Sequence, residues 1–228
     1  MATAPTAEAP WKNGYPTSDG KPMAETDWHR NLMGNLIDVL RDHYAAQPRI
    51  YVSGNLLLFY ERGNRRRRVA PDVFVVKGVP KQNRPNYLLW EEGKGPDVVI
   101  ELTSSSTRRE DVETKYRLYR DTLKVKEYFL FDPRADYLDP PLQGHRLRAG
   151  EYHPIRAATG RLPSHALGLH LERAGEELRL YDPLTNGWLP TYQELIAGAN
   201  AAREQAEAEH ERLRREIEAL RRQLPRKP

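Results

Sequence analysis

The sequence predicts an α/β fold, a mixed β-sheet core flanked by helices and followed by a long C-terminal helix. Three observations carry that expectation. Apolar runs of strand character, Val98-Val99-Ile100 and Tyr128-Phe129-Leu130-Phe131, bracket a stretch with helical periodicity. Further strand-like segments come before and after this unit, the pattern of a mixed sheet rather than an all-helical or all-strand fold. From Ile196 onward apolar residues recur by threes and fours and charged residues fill the remainder.

Composition bounds the rest. The 228 residues suffice for one domain of ordinary to large size with an appendage. Lys and Arg number 36 against 32 Asp and Glu, a formal net charge of +4. That balance permits a polyanionic partner without demanding one. The chain has no cysteine, which excludes disulfides, thiolate metal sites and a cysteine nucleophile. No signal-type segment opens it and no run approaches the about 18 apolar residues of a membrane span, so a soluble cytoplasmic protein is expected. No G-x-S-x-G is present, and His145, His153, His165 and His170 do not fall at zinc-ligand spacing.

Residues 1–22, with Pro5, Pro10, Pro16 and Pro22, read as an extended or disordered lead-in. A helix is expected from Thr26, its cap, to about Ala46, with Trp28, Leu32, Leu36, Val39, Leu40 and His43 on one face. His29 lies in its first turn, where a lone histidine is more often a surface or packing residue. Ile50–Ser53 and Asn55–Tyr60 read as two short strands, and Gly63-Asn64 as a turn. Arg65, Arg66, Arg67 and Arg68 follow. Beside a hairpin tip they suit a solvated edge that resists aggregation. They also suit a patch that contacts phosphates, and their nearness to Val69-Ala70-Pro71-Asp72 raises this second reading. Asp72 leads into the strand Val73–Val76. Later strands are expected at Glu127–Phe131, at Leu167–Leu171 and at Leu178–Tyr181, the last two paired across Ala174-Gly175.

The organising stretch is Asp97–Tyr119. Its apolar strand suits burial on both faces, yet it ends on Glu101, and a buried carboxylate is costly unless protonated, paired or bound to a cation. Thr103, Ser104, Ser105 and Ser106 then break strand pairing. Thr107 and Glu110 make a capping box, opening a helix with Val112, Tyr116, Tyr119 and Leu123 on its apolar stripe. Lys115 stands at the edge of that stripe, roughly 60–70° from its centre.

Two acids and a lysine at strand ends and on a following helix suit metal-assisted phosphodiester hydrolysis. Carboxylates hold hard ions such as Mg2+ or Mn2+, a bound ion acidifies water and stabilises phosphoryl charge, and an ammonium neutralises the rest. The plainer alternative is a buried ion pair between Glu101 and Lys115, with Asp72 capping a turn.

The pattern resembles the Uma-two family of restriction-endonuclease-like proteins, within the PD-(D/E)xK nuclease superfamily. The matching residues are Pro71-Asp72, Val99-Ile100-Glu101-Leu102 with Ser104, then Asp111, Lys115 and Tyr119, then Glu127-Tyr128 through Asp132-Pro133. They span about Thr26 to Pro190. The resemblance implies a restriction-endonuclease-like core, a nuclease domain at 23–190, and Asp72 and Glu101 as metal ligands. The Leu102 carbonyl would be a third ligand, Lys115 the catalytic base-like residue, and Ser104 and Tyr119 supporting groups. The superfamily's usual lysine lies two residues after the second acid, where this chain has Thr103, so the lysine has moved to Lys115.

The expected function is thus a Mg2+-dependent endonuclease acting on nucleic acid, DNA above all. Its alternative is a catalytically inactive nucleic-acid-binding or scaffold protein. Residues 191–228 form a charged helix or coiled coil in either reading. Its seam, Ile196, Ala199, Arg203, Ala206, His210, Leu213, Ile217, Leu220 and Leu224, would make a homodimer or higher homo-oligomer through residues 196–224.

Overall fold

Uninterrupted apolar runs mark the centre of the fold because the strands they form are covered on both faces. The computed structural model describes residues 14–17, 26–103 and 107–223. The chain begins with α1 (Asp27–His43), β1 (Ile50–Ser53), β2 (Leu58–Phe59), β3 (Arg68–Val69), β4 (Val73–Lys77) and β5 (Tyr87–Leu88). It continues with α2 (Leu89–Glu92) and β6 (Val98–Leu102), then two π-helical turns, Glu110–Lys115 and Leu118–Thr122, and β7 (Glu127–Phe131). The remaining strands are β8 (Leu142–Arg148), β9 (Glu151–Pro154), β10 (Leu162–Ser164), β11 (Leu169–Ala174), β12 (Glu177–Asp182) and β13 (Gly187–Trp188). The helix α3 (Tyr192–Gln223) closes the chain.

Six strands form the main sheet in the order β1-β4-β6-β7-β8-β9. The β6–β7 pair is parallel and its neighbours are antiparallel, so the sheet is mixed. A parallel pair needs a crossover, and the helical segment between β6 and β7 supplies it. On one face α1 places Leu32, Leu36 and Leu40 against Val73, Val75, Val98 and Ile100. Leu169, Leu171, Leu178 and Leu180 of the four-stranded sheet β10-β11-β12-β13 complete that core. On the other face Phe74, Val76, Val99, Tyr128 and Leu130 meet Tyr119 and Leu123 of the crossover and Leu58, Val69 and Tyr87 of the small sheet β3-β2-β5. Each such side chain, fully buried, contributes about 1.5–3 kcal/mol. Thr26 caps α1 by accepting the His29 N–H at 3.2 Å, an interaction whose loss costs about 1 kcal/mol.

Two local expectations are corrected. The strand expected at Asn55–Tyr60 is only Leu58–Phe59, because the chain turns first at Asn55, whose φ is +46°. It pairs with β3 across the Gly63-Asn64 turn and with β5, not with β1. The crossover helix is wider than a regular α-helix: the Leu123 N–H bonds to the Leu118 carbonyl, five residues back, at 3.0 Å. A mixture of α and π turns keeps residues four apart on one line. The inward line is therefore Asp111, Lys115, Tyr119 and Leu123, and Val112 is turned out, 38 % exposed.

The chain divides into two units between Leu189 and Pro190. In the second, Thr191 and Glu194 form a reciprocal capping box at 2.7 and 3.2 Å that starts α3. Leu195, Ile196, Leu213 and Ile217 are exposed along it, while the Leu220 and Leu224 side chains lie outside the described residues. Among the described residues no helix is long and apolar enough to cross a membrane.

Candidate active site

The antiparallel register of β4 and β6 sets Val73 opposite Ile100, so Asp72 falls opposite Glu101 at one end of the pair. Within β6, Glu101 shares the face of Val99, beneath the crossover helix, while Ile100 and Leu102 face α1. The acid that ends the apolar run is therefore driven under a helix. Its placement follows from strand alternation alone.

Glu101 is fully buried. Tyr119 donates its hydroxyl to Oε1 at 2.5 Å, and the Lys115 ammonium donates to Oε2 at 3.0 Å. The same Lys115 Nζ lies 2.8 Å from Oδ1 of Asp111, which is also buried. One ammonium thus serves two buried carboxylates. Burial pushes the Glu101 carboxyl up, to about 8. Lys115 and Tyr119 oppose the rise, and the nearby charges of Asp72 and Asp111 add to it. Asp111 is raised as well, by burial foremost, against the pull of Lys115 and of the Thr107 hydroxyl. For Lys115 burial works against its charge, and Glu101, Asp111 and Asp72 more than reverse that effect, so its pKa is raised. It stands as a firmly protonated ammonium.

Asp72 sits at the mouth of this cluster. Its Oδ2 accepts the Leu102 N–H at 2.8 Å, and its own N–H points at Glu101 Oε2 at 3.5 Å. Its Oδ1 faces His29 Nε2 at 3.4 Å. Gly54 makes this approach possible: a Cβ there would stand 1.9 Å from the Asp72 carbonyl oxygen and 2.7 Å from Ile37 of α1. Any side chain at residue 54 would push β4 and α1 apart.

The structure therefore brings Asp72, Glu101, Lys115 and Tyr119 into one connected group, with Leu102 tying Asp72 to β6. Thr103, where the superfamily's lysine would stand, is buried and hydrogen-bonded to the Tyr137 hydroxyl. Ser104 lies outside the described residues. The arginines stay apart: Arg65, Arg66 and Arg67 are exposed in the β2–β3 hairpin. There Arg67 lies 3.5 Å from Glu61, and the Arg68 guanidinium bonds to the Arg65 carbonyl at 3.0 Å. Two members were not singled out from sequence. Asp111 was legible only as the i−4 partner of Lys115, and His29, far from Asp72 in sequence, carried no signal beyond its place in the first turn of α1.

Among the described residues no three His, Asp or Glu side chains converge on one point as a ready-made metal cage. Hard cations do not need one. Mg2+ keeps several waters and takes one or two carboxylates plus substrate oxygens. The donor chemistry fits such an ion: three acids face one ammonium, and the Glu101 pKa near 8 records the missing positive charge.

Fold and site together define a restriction-endonuclease-like α/β protein. The model of the Uma2 family, described as "Putative restriction endonuclease", matches residues 11–178, and the chain belongs to that family. Among solved structures it is similar to a crystal structure from Anabaena variabilis described as "a putative nuclease belonging to DUF820". The two are 18 % identical with a TM-score of 0.46, over 65 % of this chain and 79 % of that one. No curated protein matches the sequence.

Proposed function

We propose that the chain is a metal-dependent endonuclease that hydrolyses phosphodiester bonds in DNA. The observation that supports this reading is the unbalanced charge around Lys115: Glu101, Asp111 and Asp72 against one ammonium. A purely structural network would have been neutralised within the fold.

Asp72 and Glu101, with the Leu102 carbonyl, would hold the divalent cation, Mg2+ or Mn2+. When bound, such an ion supplies a water acidified enough to attack phosphorus and positive charge for the phosphate oxygens. Tyr119 keeps Glu101 oriented from the protein side. Lys115 is the group whose role is revised. Held protonated between two carboxylates, it does not take a proton from water. It neutralises the charge that builds up on the phosphate. Arg65, Arg66, Arg67 and Arg68 would hold the nucleic-acid backbone away from the reacting bond. Self-association through α3 would present two such sites to the two strands of a duplex.

The test is cleavage of supercoiled plasmid in Mg2+, Mn2+ or EDTA by wild type, Glu101→Ala, Asp72→Asn and Lys115→Ala, each checked for folding by circular dichroism. Wild type is expected to nick only with metal and the variants to lose about 10²-fold or more. Equal behaviour of all four proteins overturns the reading. One observation favours a second reading, a non-cleaving nucleic-acid-binding protein. Both Glu101 oxygens already meet donors of the chain, Tyr119 and Lys115. Salt-sensitive DNA binding without metal-dependent hydrolysis is its signature.

A further inference from the structure

Resting on the reading above, the geometry points to His29 as a nitrogen ligand that joins Asp72 in holding the cation, giving the site a preference for a transition ion such as Mn2+ over Mg2+.

The inference starts from which oxygens remain available. Glu101 is committed inward, Oε1 to Tyr119 and Oε2 to Lys115, and Asp72 Oδ2 is committed to the Leu102 N–H. Asp72 Oδ1 faces the His29 imidazole instead. Their side chains are 16 % and 18 % exposed, whereas those of Glu101 and Asp111 are buried, so a hydrated ion reaches the cluster across this pair.

Their separation is the second argument. At 3.4 Å, His29 Nε2 and Asp72 Oδ1 are beyond the 2.7–3.2 Å of a good N–H···O bond. Two ligands each about 2.1 Å from one ion stand about 3 Å apart. The pair is spaced more like co-ligands than like hydrogen-bond partners. It is also held rigidly. The Thr26 cap takes the backbone N–H of His29. Ile37 of α1 and the Asp72 backbone close on Gly54 with no room for a Cβ. Helix and strand therefore present the two groups at a set distance.

Ligand chemistry supplies the ion's identity. Mg2+ demands oxygen and near-ideal octahedral geometry, whereas imidazole suits first-row transition ions. A site of carboxylate and imidazole, completed by water and substrate oxygens, discriminates in favour of the latter.

The experiment uses the full chain and metal alone, without substrate. Mn2+ binding is followed by the loss of the free-ion electron paramagnetic resonance signal, and the bound ion is examined by electron spin-echo modulation. Wild type is expected to show the nitrogen modulation of a directly bound imidazole. His29→Ala should abolish that modulation and weaken Mn2+ about tenfold or more, with the Mg2+ affinity little changed. His29→Gln keeps a hydrogen-bond donor toward Asp72 but offers no imidazole. If it binds Mn2+ as wild type does, His29 merely positions Asp72 and the inference fails. Mn2+ bound by wild type without nitrogen modulation overturns it also, while leaving the nuclease reading standing. If neither wild type nor Asp72→Ala binds a divalent ion, both fall together.

Discussion

Two buried carboxylates flank the same strand. Asp97 precedes β6 and Glu101 lies near its end, and the fold treats them in opposite ways. Asp97 receives Lys94 and Lys126, each at 2.8 Å, and the Lys77 N–H at 2.7 Å. Burial alone would raise its pKa, but Lys126, Lys94 and the Lys77 N–H more than reverse that, and Asp97 ends below the ordinary carboxylate range. Glu101 shares its lysine with Asp111, stands near Asp72, and is pushed up to about 8. One end of the strand holds a surplus of cation, the other a surplus of anion. The first is how a fold satisfies a buried acid. The second leaves charge for a ligand to complete.

The most forceful way to break the comparison is to remove the ammonium from the anionic end. Lys115→Met leaves Glu101 and Asp111 buried without it and is expected to cost about 3–5 kcal/mol in EDTA at pH 8. The double variant Lys115→Met, Glu101→Gln should recover a substantial part. Urea unfolding of the three proteins checks this, and a single variant as stable as wild type would show that the cluster is already neutral. Gly54→Ala attacks the geometry instead of the charge. Its Cβ would overlap the Asp72 carbonyl oxygen, so a loss of about 1–3 kcal/mol is expected. Weakened divalent-ion binding should accompany it, since β4 must move and carry Asp72 with it.

Neutralising the two acids in turn sharpens the contrast, because the signs are opposite. Glu101 has a raised folded pKa, so the folded state binds the proton more tightly than the unfolded chain. Its stability contribution is present below the unfolded value near 4.5 and is lost as pH rises through about 8. In EDTA at pH 9, Glu101→Gln should therefore match or exceed wild type, by up to about 1–3 kcal/mol, a gain that disappears near pH 4.5. Asp97 has a lowered folded pKa, so its contribution is present above about 3.8 and lost as pH falls below that value. Asp97→Asn should cost about 1–2 kcal/mol at neutral pH and progressively less in acid. Thermal melts across pH 4 to 9 report both. Adding Mn2+ should favour wild type over Glu101→Gln and leave the Asp97→Asn difference unchanged.

The sequence makes the doubly covered strands legible because burial on both faces writes an unbroken apolar run. Glu127–Phe131 is read to the residue, and β6 with its terminal Glu101 is equally plain. Strands β8 and β9 escape notice because LQGHRLR and EYHP carry neither a run nor a clean alternation. The π turns escape for a different reason. Their wider hydrogen-bond register leaves no mark on apolar spacing, so a regular wheel puts Val112 inward and Lys115 at the margin. The folded helix turns Val112 out and lines Asp111, Lys115 and Tyr119 along the buried side. At the site, Asp72, Glu101 and Lys115 could be suspected one by one as charges abutting apolar elements. That Asp72 meets His29, and that Lys115 is divided between two acids, depends on contacts between distant elements that no local pattern encodes.

The smallest expected effect on stability belongs to the cationic counterpart of the site, the β2–β3 hairpin. Four arginines stand there with Glu61 at 3.5 Å from Arg67, both more than half exposed. Replacing Arg65, Arg66, Arg67 and Arg68 by Gln should change unfolding free energy by no more than about 0.5 kcal/mol, because exposed pairs of this kind contribute little. Binding should respond far more. Each lost phosphate contact lowers the slope of log affinity against log salt by about 0.9 on duplex DNA, so up to about 3.6 for four contacts. A slope that does not move would return the run to its plainer role, keeping the hairpin edge from pairing with another copy. In that case the quadruple variant should aggregate more readily at low salt. The two surpluses, cation at the hairpin and anion beneath the crossover helix, can then be told apart by what each attracts: a polyanion measured by its salt slope, and a divalent ion measured by titration.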